Sequence, residues 1–244
     1  MTTDKPHTPH ACPAYCAEFI GTFTLVFIGT AVATLSGFLE YGAPSALMIS
    51  FAFGITLMVL AITLGPISGC HLNPAVTLPM VLAGRLEKRL ALGYVLAQLA
   101  GAVAASGTLQ LLLSKGFVNE PNVYDKLKHG LGANGNPQGM EPLALFGWEV
   151  VMTALFVYII FTVTRREANP VLAPFAIGGF LLVAHLVGAP LGDSSLNPAR
   201  SFGPALLQGG SALSILWVFV VGPIVGGLLA MWFFQKMHPE KSPA

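Results

Sequence analysis

The chain has 244 residues, of which 54% are hydrophobic and 9% charged, with a formal net charge of +1. Soluble domains carry about a quarter charged residues. A chain with a mean hydropathy of +0.71 cannot cover itself with polar groups in water. The near-zero charge argues against a nucleic-acid face, and Cys12, Cys16 and Cys70 are too few for a disulfide framework.

In chain order, residues 1–13 are polar and rich in Pro and His, and are expected as a cytoplasmic tail. The apolar run 14–36 is too long for the core of a cleavable signal and is expected as the first span. Further apolar runs fall at 45–66, 90–113, 143–164, 171–190 and 212–235, each suited to a membrane helix of roughly 20 residues. Two more segments, 64–84 and 188–210, are apolar enough to stay in the membrane but too broken by Gly and Pro to cross it. Residues 115–141 are expected as a long external loop and 237–244 as a cytoplasmic tail. With the amino terminus inside, Lys5, Arg85, Lys88, Arg89, Arg165, Arg166, Lys236 and Lys241 face the cytoplasm. Only Lys115, Lys126 and Lys128 then lie outside, as the positive-inside preference asks.

The broken segments match each other. Leu72-Asn73-Pro74-Ala75 recurs as Leu196-Asn197-Pro198-Ala199, and Glu18 with Thr22 recurs as Glu149 with Thr153. The channel domain 14–236 is therefore two repeats, 14–114 and 142–236, each of three spans and one broken segment. An odd number of spans per repeat inverts the second relative to the first. Matching Gly/Pro-broken segments then point to a site near the midplane. Proline suits the first turn of a helix and asparagine the cap before it. Short helices are expected over 74–83 and 198–207, with N-termini meeting at mid-membrane. Each end carries about half a positive charge, which repels cations. The stretches before the asparagines are expected as extended backbone, with Gly69, Cys70, His71, Leu72, Ser195 and Leu196 presenting carbonyls to a path. Small residues four apart, Ala97/Gly101 and Gly222/Gly226, suit close helix contact in lipid.

The segments SGCHLNPAVT (68–77), SSLNPARS (194–201), AEFIGTF (17–23) and GPIVGG (222–227) give the chain its resemblance to the aquaporin (major intrinsic protein) family over nearly its whole length. The resemblance implies an all-α membrane fold of six transmembrane helices and two re-entrant half-helices, an inverted repeat. It also implies a homotetramer in the bilayer with one pore per subunit and water as permeant. By the family's positions, Phe53, His185, Ser194 and Arg200 form a selectivity filter. Phe, His and Arg together are the set of water-selective members. Glycerol-conducting members usually carry a small residue for the His, and Asp where this chain has Ser201. Water channels usually have Cys or Thr at the Ser194 position, so the smaller serine leaves glycerol, hydrogen peroxide or ammonia open as further permeants.

The residues themselves allow plainer readings. Arg200, costly in a membrane segment, either faces a cavity or pins its loop to carbonyls. His185 and Phe53 are pore-lining or ordinary core. Glu18 and Glu149 either relay protons or hold the broken segments by accepting backbone N–H bonds; their symmetric placement favours holding. The position of the family's mercury-reactive cysteine is Ser194 here, so any mercury inhibition is expected through Cys70. His7, His10, His71, His129 and His238 show no metal-ligand spacing, and no cofactor is implied. An ion-coupled transporter with inverted repeats is the rival of another class, and no nucleophile–base constellation suggests an enzyme. The lack of an N-x-S/T acceptor fits a prokaryotic plasma (inner) membrane.

Overall fold

The computed structural model describes residues 9–38, 44–114, 130–136, 139–188 and 194–239. Lys5, His7, Lys115, Lys126, Lys128, His129 and Lys241, with much of the expected 115–141 loop, lie outside them. The described residues form helices: α1 (Ala11–Phe38), α2 (Pro44–Ser68), α3 (Pro74–Leu82), α4 (Lys88–Ser114), α5 (Pro142–Val163), α6 (Ala173–Gly188), α7 (Pro198–Gln208), α8 (Gly210–Ser214) and α9 (Leu216–Met237). Five helical stretches are long and apolar enough to span a bilayer. The 171–190 run appears as the shorter α6, of 16 residues. Its first two residues belong to a turn instead, because the Asn169 side chain takes the Val171 N–H (3.0 Å) and the Asn169 carbonyl takes that of Leu172 (3.1 Å). Near 212 the chain also departs from a single helix. Gly209 and Gly210, at φ of +69° and +56°, bend it into the short α8 before α9 begins.

The packing carries the repeat. α1 lies against α2 and α4, and α5 lies against α6 and α9. α2 meets α6, while α3 packs on α9 and α7 on α4, so each half-helix is also held by the last span of the other repeat. Both halves use glycine for the same close approaches. A methyl group at Gly101 of α4 would lie 2.5 Å from the Phe19 carbonyl oxygen, and one at Gly226 of α9 would lie 2.4 Å from that of Val150. Phe19 and Val150 each follow the repeat's glutamate. Where α2 crosses α6, Gly54 and Gly178 face each other, and each would drive a Cβ within 3 Å of the other's carbonyl. Lipid gives no hydrophobic drive for helices to associate, so close backbone contact of this kind supplies the adhesion.

The two half-helices run away from each other. α3 leads to Arg85, at the face where Arg165 approaches His238 just past the end of α9 (3.3 Å). α7 leads to Gln208, which accepts the Leu131 N–H at the other face (3.0 Å). Gly178→Ala should destabilise the protein by about 1–3 kcal/mol, the usual cost of overpacking. Gly179→Ala, with nothing within 4 Å of its added carbon, should be neutral or slightly stabilising. Thermal unfolding of the two variants in detergent checks the pair.

Candidate functional site

α2 ends at Ser68, and Gly69 follows at φ +84°, a left-handed position that glycine fills at no steric cost. Cys70, Leu72 and Leu196 also sit at φ of +52°, +51° and +54°. For a bulky side chain that conformation costs about 1–3 kcal/mol and persists only where surroundings impose it. Two buried carboxylates impose it here. Glu18 accepts the N–H of His71 (2.9 Å) and of Leu72 (2.7 Å), and Glu149 accepts that of Ser195 (2.7 Å) and of Leu196 (2.9 Å). Glu18 takes two further bonds, from Ser68 Oγ and Gln98 Nε2, each at 2.7 Å. Both glutamates are fully buried, and such bonds are what offset the desolvation of a carboxylate.

The asparagines do two jobs each. Asn73 Oδ1 accepts from Ala75 N (2.8 Å), and Asn197 Oδ1 from Ala199 N (3.0 Å) and Arg200 N (3.3 Å), which caps α3 and α7. Each Nδ2 then crosses to the other repeat. Asn73 donates to the Leu196 carbonyl at 2.7 Å and Asn197 to the Leu72 carbonyl at 2.8 Å. Pro74 and Pro198 open the helices behind them, and Ala75 and Ala199 are fully buried. Of the backbone expected along a path, the Leu72 and Leu196 carbonyls are thus bonded across the tips. A carboxamide NH2 has two donors, so each asparagine keeps a second hydrogen beyond this cross-link.

A cavity of about 20 Å³ opens beside the tips, bounded by Asn73, Asn197, Phe53, His185 and Arg200 among others. That is room for about one water. The Phe53 and His185 rings stack with centroids 4.4 Å apart and planes 16° from parallel, and the Arg200 guanidinium carbon lies 4.9 Å from the Phe53 centroid. His185 Nδ1 lies 2.9 Å from the Leu181 carbonyl, so it carries the proton, and in the neutral ring Nε2 is an acceptor. Arg200 is buried and donates to Gly132 O (3.1 Å) and Asn134 Oδ1 (2.5 Å). Ser201 donates to the same Asn134 oxygen (2.6 Å). Ser194, the fourth expected filter residue, is buried, and its Oγ accepts from Trp148 Nε1 at 2.9 Å.

On the side of Arg85 a wider vestibule of about 220 Å³ is lined by Gly69, Cys70, His71 and Arg85 among others. Arg85 is fixed between the Phe161 and Phe234 rings, 4.6 and 5.0 Å from their centroids, and donates to Phe161 O (3.1 Å). His71 touches both cavities. Thr77 Oγ1 has one proton, which goes to Asn73 O (3.0 Å), and it accepts from Gln98 (2.9 Å). The His71 Nδ1 at 3.1 Å is therefore the donor of that contact.

Several contributors escaped the sequence reading. Gln98 was legible as a polar residue in mid-span, which lipid makes expensive. Asn134 and Trp148 give no such signal, since one lies in a Gly/Asn-rich loop and the other in an apolar run. Among the described residues no three His, Cys, Asp or Glu side chains converge as metal ligands.

A family model described as Major intrinsic protein matches residues 6–234. Aquaporin Z of Rhodopseudomonas palustris is 40% identical over 235 residues, covering 93% of both chains. Aquaporin Z of Bradyrhizobium diazoefficiens is 42% identical over 231 residues, again covering 93% of both. Glycerol uptake facilitator protein-like 6 of Lactiplantibacillus plantarum is 40% identical over 227 residues, with 93% of this chain and 98% of the relative covered. In fold, the aquaglyceroporin from Plasmodium falciparum superposes with a TM-score of 0.83 at 21% identity, over 94% of this chain and 98% of that one. The chain is an integral membrane protein and belongs to the major intrinsic protein family.

Proposed function

We propose that the protein is a passive water channel that excludes ions and protons. The observation that carries this reading is the meeting of the two capped half-helix ends beside a cavity with room for about one water. Water would pass in single file from the vestibule, exchange bonds with the second hydrogens of Asn73 and Asn197, and leave past His185 and Arg200. The positive helix ends and the Arg200 charge set a barrier to cations and hydronium. The names of two relatives, both Aquaporin Z, support water as the permeant. A second reading adds small neutral solutes such as glycerol. It is supported by the facilitator-like relative and by the small Ser194. The stacked Phe53 and His185 favour water, because they leave about 20 Å³ at the tips.

The protein would act as a homotetramer in the plasma (inner) membrane. Arg85, Arg89 and Arg165 lie at the face that carries His10 and His238, near the two ends of the helical core. This supports cytoplasmic termini.

Proteoliposomes in a stopped-flow cell test the reading. They should shrink in sucrose several-fold faster than empty vesicles and take up glycerol no faster than empty ones. Shrinkage equal to that of empty vesicles overturns the channel, and fast glycerol uptake overturns strict water selectivity. Arg200→Val combined with His185→Gly should raise glycerol uptake by about tenfold, the effect of removing roughly 1.4 kcal/mol of barrier. Unchanged selectivity in that variant removes the filter assignment. Mercury should block the wild type and not Cys70→Ser, because Cys70 borders the vestibule whereas Cys12 and Cys16 are exposed at the start of α1.

A further inference from the structure

Arg85 spends only part of its guanidinium on the protein. Both hydrogens of Nη1 are used, one on the Phe161 carbonyl (3.1 Å) and one on Thr164 Oγ1 (3.2 Å). Nε and Nη2 donate to no acceptor among the described residues. Their N–H groups lie parallel along one edge of the plane, the edge that takes both oxygens of a carboxylate at once. Among the described residues the ion pair present is that of Arg89 with Glu87, and Glu167 acts on Arg85 only across a gap longer than an ion pair. The faces of Phe161 and Phe234 and the two Nη1 bonds hold the group still, so its open edge is set before anything binds.

The rest of the vestibule is of another kind. Leu57, Ala61, Val76, Met80, Ile160 and Ile177 line its wall. Such a wall gives a strongly hydrated ion nothing in place of its water, and suits an apolar body instead. His71 donates from Nδ1 to Thr77, which leaves Nε2 an acceptor, so that part of the lining repels a carboxylate. The volume of about 220 Å³ lies below the roughly 300–1,000 Å³ of sites for drug-sized molecules, so the body is short. From this geometry we infer that the vestibule is a binding site for a small organic monocarboxylate, its two oxygens on the Nε–Nη2 edge of Arg85 and its apolar body between α2, α3, α5 and α6. His71 borders both this space and the 20 Å³ cavity, so an occupied vestibule stops the water that has to pass it. The block rests on the channel reading above, and the binding does not.

Benzoate is the probe, with benzamide as its uncharged counterpart and inorganic phosphate as the hydrated anion. Binding is read by saturation-transfer NMR on the protein in detergent, against empty micelles. Block is read by stopped-flow shrinkage of proteoliposomes at neutral pH, with the probe equal on both sides. Benzoate should bind the wild type with a dissociation constant of about 1 mM, as a singly anchored molecule of its size does, and should slow water several-fold at saturation. Benzamide and phosphate should do neither. Arg85→Gln removes the charge and the fork and should weaken benzoate about tenfold, the lower end of what a charge-assisted bond carries. Arg85→Lys keeps the charge without the fork and should weaken it several-fold. Each variant is compared with its own rate in the absence of probe. Equal benzoate binding by wild type and Arg85→Gln, or benzamide acting as benzoate does, overturns the inference. So does benzoate that binds a conducting wild type without slowing it. Should Arg85→Gln fail to reconstitute, the benzamide comparison on the wild type decides. Wild-type vesicles as tight to water as empty ones overturn the channel reading itself, and the NMR binding then judges the site by itself.

Discussion

Two hydrogen bonds that cross between the repeats hold the centre of the molecule together. Asn73 donates to the Leu196 carbonyl and Asn197 to the Leu72 carbonyl, at 2.7 and 2.8 Å. Each needs its leucine carbonyl turned toward the opposite tip, and that turn puts both leucines in the left-handed region. The glutamates make the turn affordable by accepting the leucine amides. The spans in turn must approach closely enough to bring Glu18 and Glu149 under the loops, and glycines at 101 and 226 allow it. Sequence, backbone strain, helix packing and pore geometry therefore form one chain of dependence that runs twice through the molecule.

Much of this was legible in the sequence, for a physical reason. A membrane restricts backbone to helices except where protein or a cavity shelters it. Uncharged runs, broken runs and proline-opened caps are consequently strong signals. The half-helices expected over 74–83 and 198–207 appear as Pro74–Leu82 and Pro198–Gln208. Of the repeated Glu and Thr pairs, the glutamates are the residues that hold the loops. The length of α6 was not legible, because the turn at Asn169 takes residues as apolar as a helix would use. Nor were the partners of Arg200. Gly132 and Asn134 come from a loop whose sequence allows many conformations, and only the fold brings it over the guanidinium.

The two sides of the midplane differ in kind despite the internal symmetry. On one side the wall is built of rings and one guanidinium at close quarters, Phe53 against His185 and Arg200 over Phe53. On the other, Arg85 is clamped between Phe161 and Phe234 at the margin of a tenfold larger space. The cross-linked scaffold is common to both sides. Side chains added to it give one side its narrowness and the other its width.

The cross-linked tips also bear on how the molecule can move. A transporter with inverted repeats rocks one half against the other to expose its site alternately. Here such a motion would tear both asparagine bridges and uncap the glutamate-held leucines on every cycle, in a place where no bulk solvent waits to replace the lost partners. The proposed channel is instead suited to a scaffold that stays still, and its throughput would then be limited by how quickly the travelling molecule sheds and regains its own neighbours.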